Sequence, residues 1–439
     1  MVAELEKFGA TIALTAERTD AVLCKPGISE SGVQDPAHIR LRQWLHEVEE
    51  SHRFLIYRTD DRHPRWTDLA IRQSDHVVFY ARAAGDPGLR EVERRTQGLR
   101  AGRPHRSSLV LWHGREVPRP VGTARWLAVR DVETVHHVRE GDRETFARLA
   151  RVLAGRAVGV VLGGGGARGF AHLGVLRALE ELGVPVDIIG GASIGATVSL
   201  PAAQGMRPAD AVTAAKGYFR SLLDYTLPVA SLLSGRRIST SLQQFAGSWD
   251  IEDLWLTYYC VSTDITTART VVHRRGNLAR AVRASIAIPG VLPPVPYAGA
   301  LLVDGGVLNN LPLDVMRELN PTGPVIALHV SPPRGPRAKT DFGLSLSGWR
   351  LAIERMLPWR QPVQVPTMIA TILRAMFVGA DTAVTNMLRD GLADLYLNIN
   401  ASLVGFLDFE SVDKVEKVGY DASIGRLREW IAGGGLEPV

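Results

Sequence analysis

Between residues 158 and 204 the chain twice passes from an apolar run through glycine into a helix-forming segment. The first pass is Val158 to Leu162, then Gly163-Gly164-Gly165-Gly166-Ala167-Arg168-Gly169, then Phe170 to Leu182. The second is Val186-Asp187-Ile188-Ile189, then Gly191-Ala192-Ser193-Ile194-Gly195, then Ala196 to Gln204. Strand, tight turn and helix in succession predict an α/β fold with a mainly parallel sheet. Phe170, Leu173, Leu176 and Leu179 mark the buried face of the first helix, and Gly183 and Pro185 end it. The glycines around Ser193 imply a turn too crowded for side chains, which holds the hydroxyl out toward a ligand.

The same alternation appears on a smaller scale before residue 155. Ala10–Leu14, Phe54–Tyr57, His76–Ala81 and Ser108–Trp112 read as strands. Leu41, Trp44, Leu45 and Val48 form a helical stripe, and Trp66–Ser74 and Phe146–Ala154 read as further helices. Residues 1–155 are therefore expected to form a small α/β unit. Its first strand starts so early that the chain is expected to begin inside a larger native domain. Residues 156–332 form the central unit, with further strands at Leu256–Ile265, Thr270–Arg274, Leu301–Val303 and Val325–Val330. Ser331-Pro332-Pro333-Arg334-Gly335-Pro336 is a linker-like break. Residues 333–439 read as mostly helical and packed on the core, ending in an amphipathic helix broken or bent near Gly425.

Composition excludes several classes. Two cysteines, Cys24 and Cys260, leave no disulfide framework and no C-x-x-C metal spacing, and a reducing compartment is expected. The net charge of +5 is scattered, with no basic arm of the kind that binds nucleic acid. No basic-then-apolar leader opens the chain. The longest apolar candidate, Met368 to Ala380, is too short to span a bilayer and contains Arg374. Contact with a membrane is expected only from its surface.

Ligands of open parallel sheets gather at the carboxyl ends of the strands. The Gly163–Gly169 loop, Ser193 and Asp304-Gly305-Gly306 all fall there. A serine hydroxyl needs a base, and a shielded carboxylate within hydrogen-bond reach can serve. Amides of Gly164, Gly165 and Gly166, at the mouth of the Phe170 helix, can hold a developing oxyanion. The same loop also fits G-x-G-x-x-G, with Asp187 at roughly the distance of a ribose-binding acid. That dinucleotide reading is weakened because Asp187 starts its strand instead of ending it. Asp264 is a rival base, and His172 and His329 read as structural. Leu222, Leu223, Tyr225, Leu227, Leu232 and Leu233 suit an acyl-pocket wall, a membrane-facing patch or ordinary core equally.

The three motifs, in their order and spacing, resemble the signatures of the patatin-like phospholipase family. Leu227-Pro228-Val229-Ala230-Ser231-Leu232-Leu233-Ser234-Gly235, Ile251-Glu252-Asp253-Leu254-Trp255 and Ser262-Thr263-Asp264-Ile265-Thr266 are similar to its neuropathy target esterase branch. So are Trp44 to Asp75 and Leu344 to Trp349. The resemblance implies a three-layer α/β/α hydrolase core acting on phospholipid or lysophospholipid. Ser193 would be the nucleophile, Asp304 the base, and Gly164–Gly166 the oxyanion hole. Gly163, Arg168, Gly169, Gly191, Gly195, Gly305 and Gly306 would support the motifs. No metal or organic cofactor is implied, and the oligomeric state is left open. The location implied is cytoplasmic, with peripheral contact at the inner membrane surface. The alternatives are a silent lipid-binding scaffold of the same fold and, last, a dinucleotide enzyme. The cyclic-nucleotide-binding domains and membrane anchor of larger relatives fall outside this chain. Pro201 departs from the pattern, since an interior proline bends or ends a helix.

Overall fold

The computed structural model describes residues 1–100, 106–219, 222–330, 344–349, 351 and 368–436. The linker-like run at 331–336 lies outside them. The N-terminal part holds two parallel sheets instead of one. In the first, β1 (Thr11–Leu14) pairs with β2 (Phe54–Tyr57). In the second, β3 (His76–Arg82), β4 (Arg106–His113) and β5 (Thr134–Arg139) lie in that order. β5 was not legible because buried His136 and His137 interrupt its apolar pattern.

The central sheet has eight strands. Its parallel part is β8 (Thr257–Asp264), β7 (Ile188–Ala192), β6 (Gly159–Leu162), β12 (Val325–His329) and β13 (Leu395–Asn398). Successive residues face opposite sides. Val160, Leu162, Ile189 and Leu328 join one core with the helices Ala171–Glu181 and Val412–Ala432. Val161, Ile188 and Ala327 join a second core with Leu313, Val315 and Val384, from the helices Leu313–Leu319 and Met368–Arg389. Burial on both faces is why these strands read as unbroken apolar runs. β13 comes from beyond residue 333, so the C-terminal part supplies a strand as well as helices.

β9 (Arg269–His273), β10 (Val295–Tyr297) and β11 (Ala300–Asp304) complete the sheet in antiparallel sense. β7 pairs with β8 from Thr257 to Val261, and β9 pairs with it from Cys260 to Asp264. These pairings overlap, so β7 and β9 occupy opposite edges. β11 pairs with Ser262 to Asp264, which β9 also borders, so β11 shares the edge of β7. β7 and β11 therefore abut along one edge of β8 with their carboxyl ends facing. Ala192 lies opposite Val261, and Asp304 opposite Ser262.

Two helical expectations change. The helix Val412–Ala432 runs unbroken through Gly425. Its buried face, Val412, Val415, Gly419, Ser423 and Leu427, packs on the Ala171–Glu181 helix. That burial outweighs the ~1 kcal/mol helix penalty of one glycine. The segment after Ser193 is two short helices, Ile194–Val198 and Leu200–Ala203, instead of one. Pro201 takes the first turn of the second, where its missing N–H forfeits no helical bond.

The N-terminal part is fastened to the central one by polar contacts. Arg151 donates three hydrogen bonds of 2.8–3.1 Å to the Asp187 carboxylate. Asp253 accepts from the Thr123 N–H at 2.9 Å, and His137 Nε2 donates to the Glu252 carbonyl at 2.8 Å. Among the described residues, no helix is long and apolar enough to cross a membrane.

Candidate active site

Ser193 leaves β7 with φ +54° and ψ −124°, a left-handed conformation unusual for a residue with a Cβ. Such strain costs on the order of 1–3 kcal/mol and persists only where the surroundings enforce it. Gly191 and Gly195 enforce it here. A Cβ on either would strike the Leu162 carbonyl oxygen, so the turn lies directly on the end of β6. The Ser193 N–H donates to Ser285 Oγ at 3.1 Å, a bond across 92 residues that fixes the turn from the other side.

The hydroxyl of Ser193 donates to Asp304 Oδ2 at 2.6 Å. Asp304 is fully buried. Its other oxygen, Oδ1, accepts the Gly306 N–H at 2.8 Å, and its own N–H is held by the Ala287 carbonyl at 2.9 Å. Burial pushes the Asp304 carboxyl up to about 7, against the pull of its bonds from Ser193 and Gly306. A carboxylate with that affinity, at that distance, is placed to take the serine proton near neutrality. Gly305 lies against the Val261 carbonyl of β8, which lets the chain turn away immediately after Asp304.

The glycine loop borders the pair, with Gly164 packed against the Ser193 Cβ. Gly163 donates its N–H to the Leu328 carbonyl, while its own carbonyl accepts from His172 Nε2 at 2.9 Å. One expectation narrows here. The Gly164 N–H, expected among the oxyanion donors, instead donates to the Asn310 carbonyl at 3.1 Å. The amides of Gly165 and Gly166 have no acceptor among the described residues. Gly166 adopts φ +59° beneath the Phe406 carbonyl, which also accepts the Ala167 N–H at 2.9 Å. Arg168 makes no ion pair among the described residues; its Nε donates to the Val404 carbonyl at 3.1 Å. Gly169 rests on Ile194, which joins the loop to the serine turn.

The rival residues are placed elsewhere. Asp264 accepts from the Thr267 hydroxyl at 2.6 Å and the Thr266 N–H at 2.8 Å, bonds that hold its pKa below the usual range. Buried His172 is pulled down to about 4 by desolvation and faces the Gly163 carbonyl, not Ser193. His329 Nδ1 pairs with the Tyr396 hydroxyl at 2.8 Å. Asp187 lies at the amino end of the sheet, bound to Arg151 and the Val158 N–H, on the opposite side from the glycine loop. A dinucleotide site would need that acid beside the loop. Among the described residues, the cluster with metal-ligand spacing is Glu17, Asp60 and His63, in the N-terminal part.

Ser285, Asn310 and Phe406 were missed in the sequence. Each acts on the site across a long stretch of chain, and only the turn signal Asn309-Asn310 before Pro312 hinted at one of them. Asn310 is buried, its side chain between Gly164 and Gly306 and its amide 3.5 Å from His329 Nε2.

Residues 160–317 match the model of the family described as patatin-like phospholipase. Residues 1–151 match the neuropathy target esterase family P-loop like domain. The chain is 34% identical over 475 residues to mouse patatin-like phospholipase domain-containing protein 6, covering 99% of this chain and 34% of that protein. It is likewise 34% identical to rat patatin-like phospholipase domain-containing protein 7, with the same coverage of each. Drosophila melanogaster neuropathy target esterase sws is 32% identical over 416 residues, covering 87% of this chain and 29% of that protein. The chain thus spans about a third of the length of the curated relatives it matches.

Proposed function

The chain belongs to the patatin-like phospholipase family, in its neuropathy target esterase branch, and on that premise we propose that it hydrolyses acyl esters of phospholipid or lysophospholipid through Ser193 and Asp304. The observation that carries this reading is the 2.6 Å bond from a conformationally strained serine to a fully buried carboxylate.

As Ser193 Oγ bonds to the ester carbonyl carbon, its proton passes to Asp304 Oδ2. The carbonyl oxygen becomes an oxyanion and is held by the Gly165 and Gly166 amides, which have no acceptor among the described residues. Collapse breaks the bond to the leaving alcohol, which takes the proton from Asp304. Ser193 is left as an acyl ester. Water then gives a proton to Asp304 and its oxygen to the acyl carbon. The second collapse frees the fatty acid, and the proton returns to Ser193. One carboxylate serves both half-reactions, and no histidine is needed. Asn310 and His172 position the loop: the Asn310 carbonyl and the His172 ring hold Gly164 and Gly163 from behind.

A lipid panel tests this directly. Wild type is expected to release fatty acid from a lysophospholipid or a diacyl phospholipid and to be labelled on Ser193 by a fluorophosphonate. Ser193→Ala is expected to lose both. Hydrolysis that survives in folded Ser193→Ala overturns the assignment.

A further inference from the structure

We infer that the rim of this site is a bilayer-docking face, built from exposed apolar segments each fastened to a different wall of the Ser193–Asp304 pair. The inference rests on the acyl-lipid reading above and names the surface through which that substrate is met.

The first segment is residues 225–233. Tyr225, Leu227 and Val229 are 75%, 79% and 85% exposed, far beyond what isolated surface residues of a folded core require. The segment is not a loose tail. The Leu232 and Leu233 N–H groups donate to the Gly290 and Val291 carbonyls, both at 2.9 Å. That acceptor stretch follows Ser285, which holds the Ser193 N–H, and Ala287, which holds the Asp304 N–H. The second segment is residues 403–407, with Leu403 86% exposed and Leu407 also exposed. It is tied to the glycine loop by the bonds from Ala167 to Phe406 and from Arg168 to Val404. The third is the helix Met368–Arg389. Its Phe377 ring lies against Gly306, while Ile372 and Val378 remain exposed.

Three separate pieces of chain that carry exposed apolar side chains are thus each anchored to residues around the carboxyl edge of the sheet. Arg236 and Arg237 follow the first segment directly and are exposed at the start of the helix Arg236–Ala246. Apolar tips beside cations suit the boundary between headgroups and acyl chains of a bilayer containing anionic lipid. The arrangement explains how an insoluble ester reaches a buried hydroxyl without leaving the membrane through water.

The test compares wild type with a Leu227→Asp/Val229→Asp double variant and with Leu403→Asp. Vesicles of phosphatidylcholine doped with phosphatidylglycerol are used for co-sedimentation. Both variants are expected to bind vesicles roughly tenfold or more weakly, because exposed apolar side chains that would enter the bilayer are replaced by charges. Hydrolysis of a water-soluble short-chain ester and the melting temperature are expected to stay unchanged. Vesicle binding equal to wild type overturns the inference, as does failure of wild type to bind. A defect that sedimentation without lipid traces to lost self-association overturns it as well, since the face would then cover a second copy. Failure of wild type to cleave any acyl ester sinks the enzymatic reading instead, while vesicle binding still reports on the surface.

Discussion

Asp304→Asn separates the cost of the buried base from its use. The substitution preserves size and leaves Oδ1 to accept the Gly306 N–H. It removes one property, the ability to ionise. In the folded protein burial raises the Asp304 carboxyl from its usual 3.8 to about 7. The neutral form is therefore the one that folding favours. Its stabilising effect is full below the unfolded value and is lost as pH rises through the folded one. At about 1.4 kcal/mol per pH unit, wild type gives up on the order of 4 kcal/mol across that window. The asparagine variant gives up none of it. The assay is urea unfolding of both proteins in steps between about pH 4.5 and pH 8. The difference between the two curves cancels every titrating group they share. That difference is expected to grow with pH in favour of Asp304→Asn, while ester hydrolysis at about pH 8 falls by roughly 10²–10⁴ and the gap to wild type narrows toward about pH 4.5. The kcat/KM of wild type is expected to rise with pH, with a midpoint near 7, because the carboxylate form is the base. A stability difference independent of pH would refute the reasoning, because Asp304 would then ionise as easily folded as unfolded.

Three further outcomes are expected. Ser193→Gly relieves the left-handed φ of +54°, whereas Ser193→Ala keeps a Cβ there; both are inactive, and the glycine variant should be about 1 kcal/mol the more stable by thermal melting, with the reverse order counting against strain. His172→Gln keeps a donor for the Gly163 carbonyl, so activity drops modestly and the pH midpoint stays in place; loss of the pH limb would make His172 the base instead. Arg151→Ala strands the buried Asp187 carboxylate at a cost of about 3–5 kcal/mol, and adding Asp187→Asn should restore part of it. A strictly additive double-mutant cycle would show that the two residues do not depend on each other.

Much of the central unit was legible because its constraints are local. A β-branched run followed by glycines and a 3.6-residue apolar stripe has few ways to fold, and both passes through that pattern became strand, turn and helix. Gly191 and Gly195 could be read as sites of close approach without knowing that the Leu162 carbonyl is what approaches. Asp304-Gly305-Gly306 could be placed at the carboxyl end of a strand from its own residues. The misreadings came where packing overruled local preference. β5 hides His137 in the contact between the two parts of the chain, and the last helix runs through Gly425 because its other face is buried.

Sequence alone determined which groups exist to react and the sharp turn that presents Ser193. Tertiary structure decided that Ser193 and Asp304 meet. Ser193 and Asp304 are 111 residues apart, and they touch because β7 and β11 end head-on along one edge of β8. It also decided which glycine-loop amides are already bonded, since the Asn310 carbonyl takes the Gly164 N–H. The reason is physical. Turn geometry depends on sterics between neighbours in the chain, whereas pairing register and the occupancy of a hydrogen-bond donor depend on partners that only the folded core brings within reach.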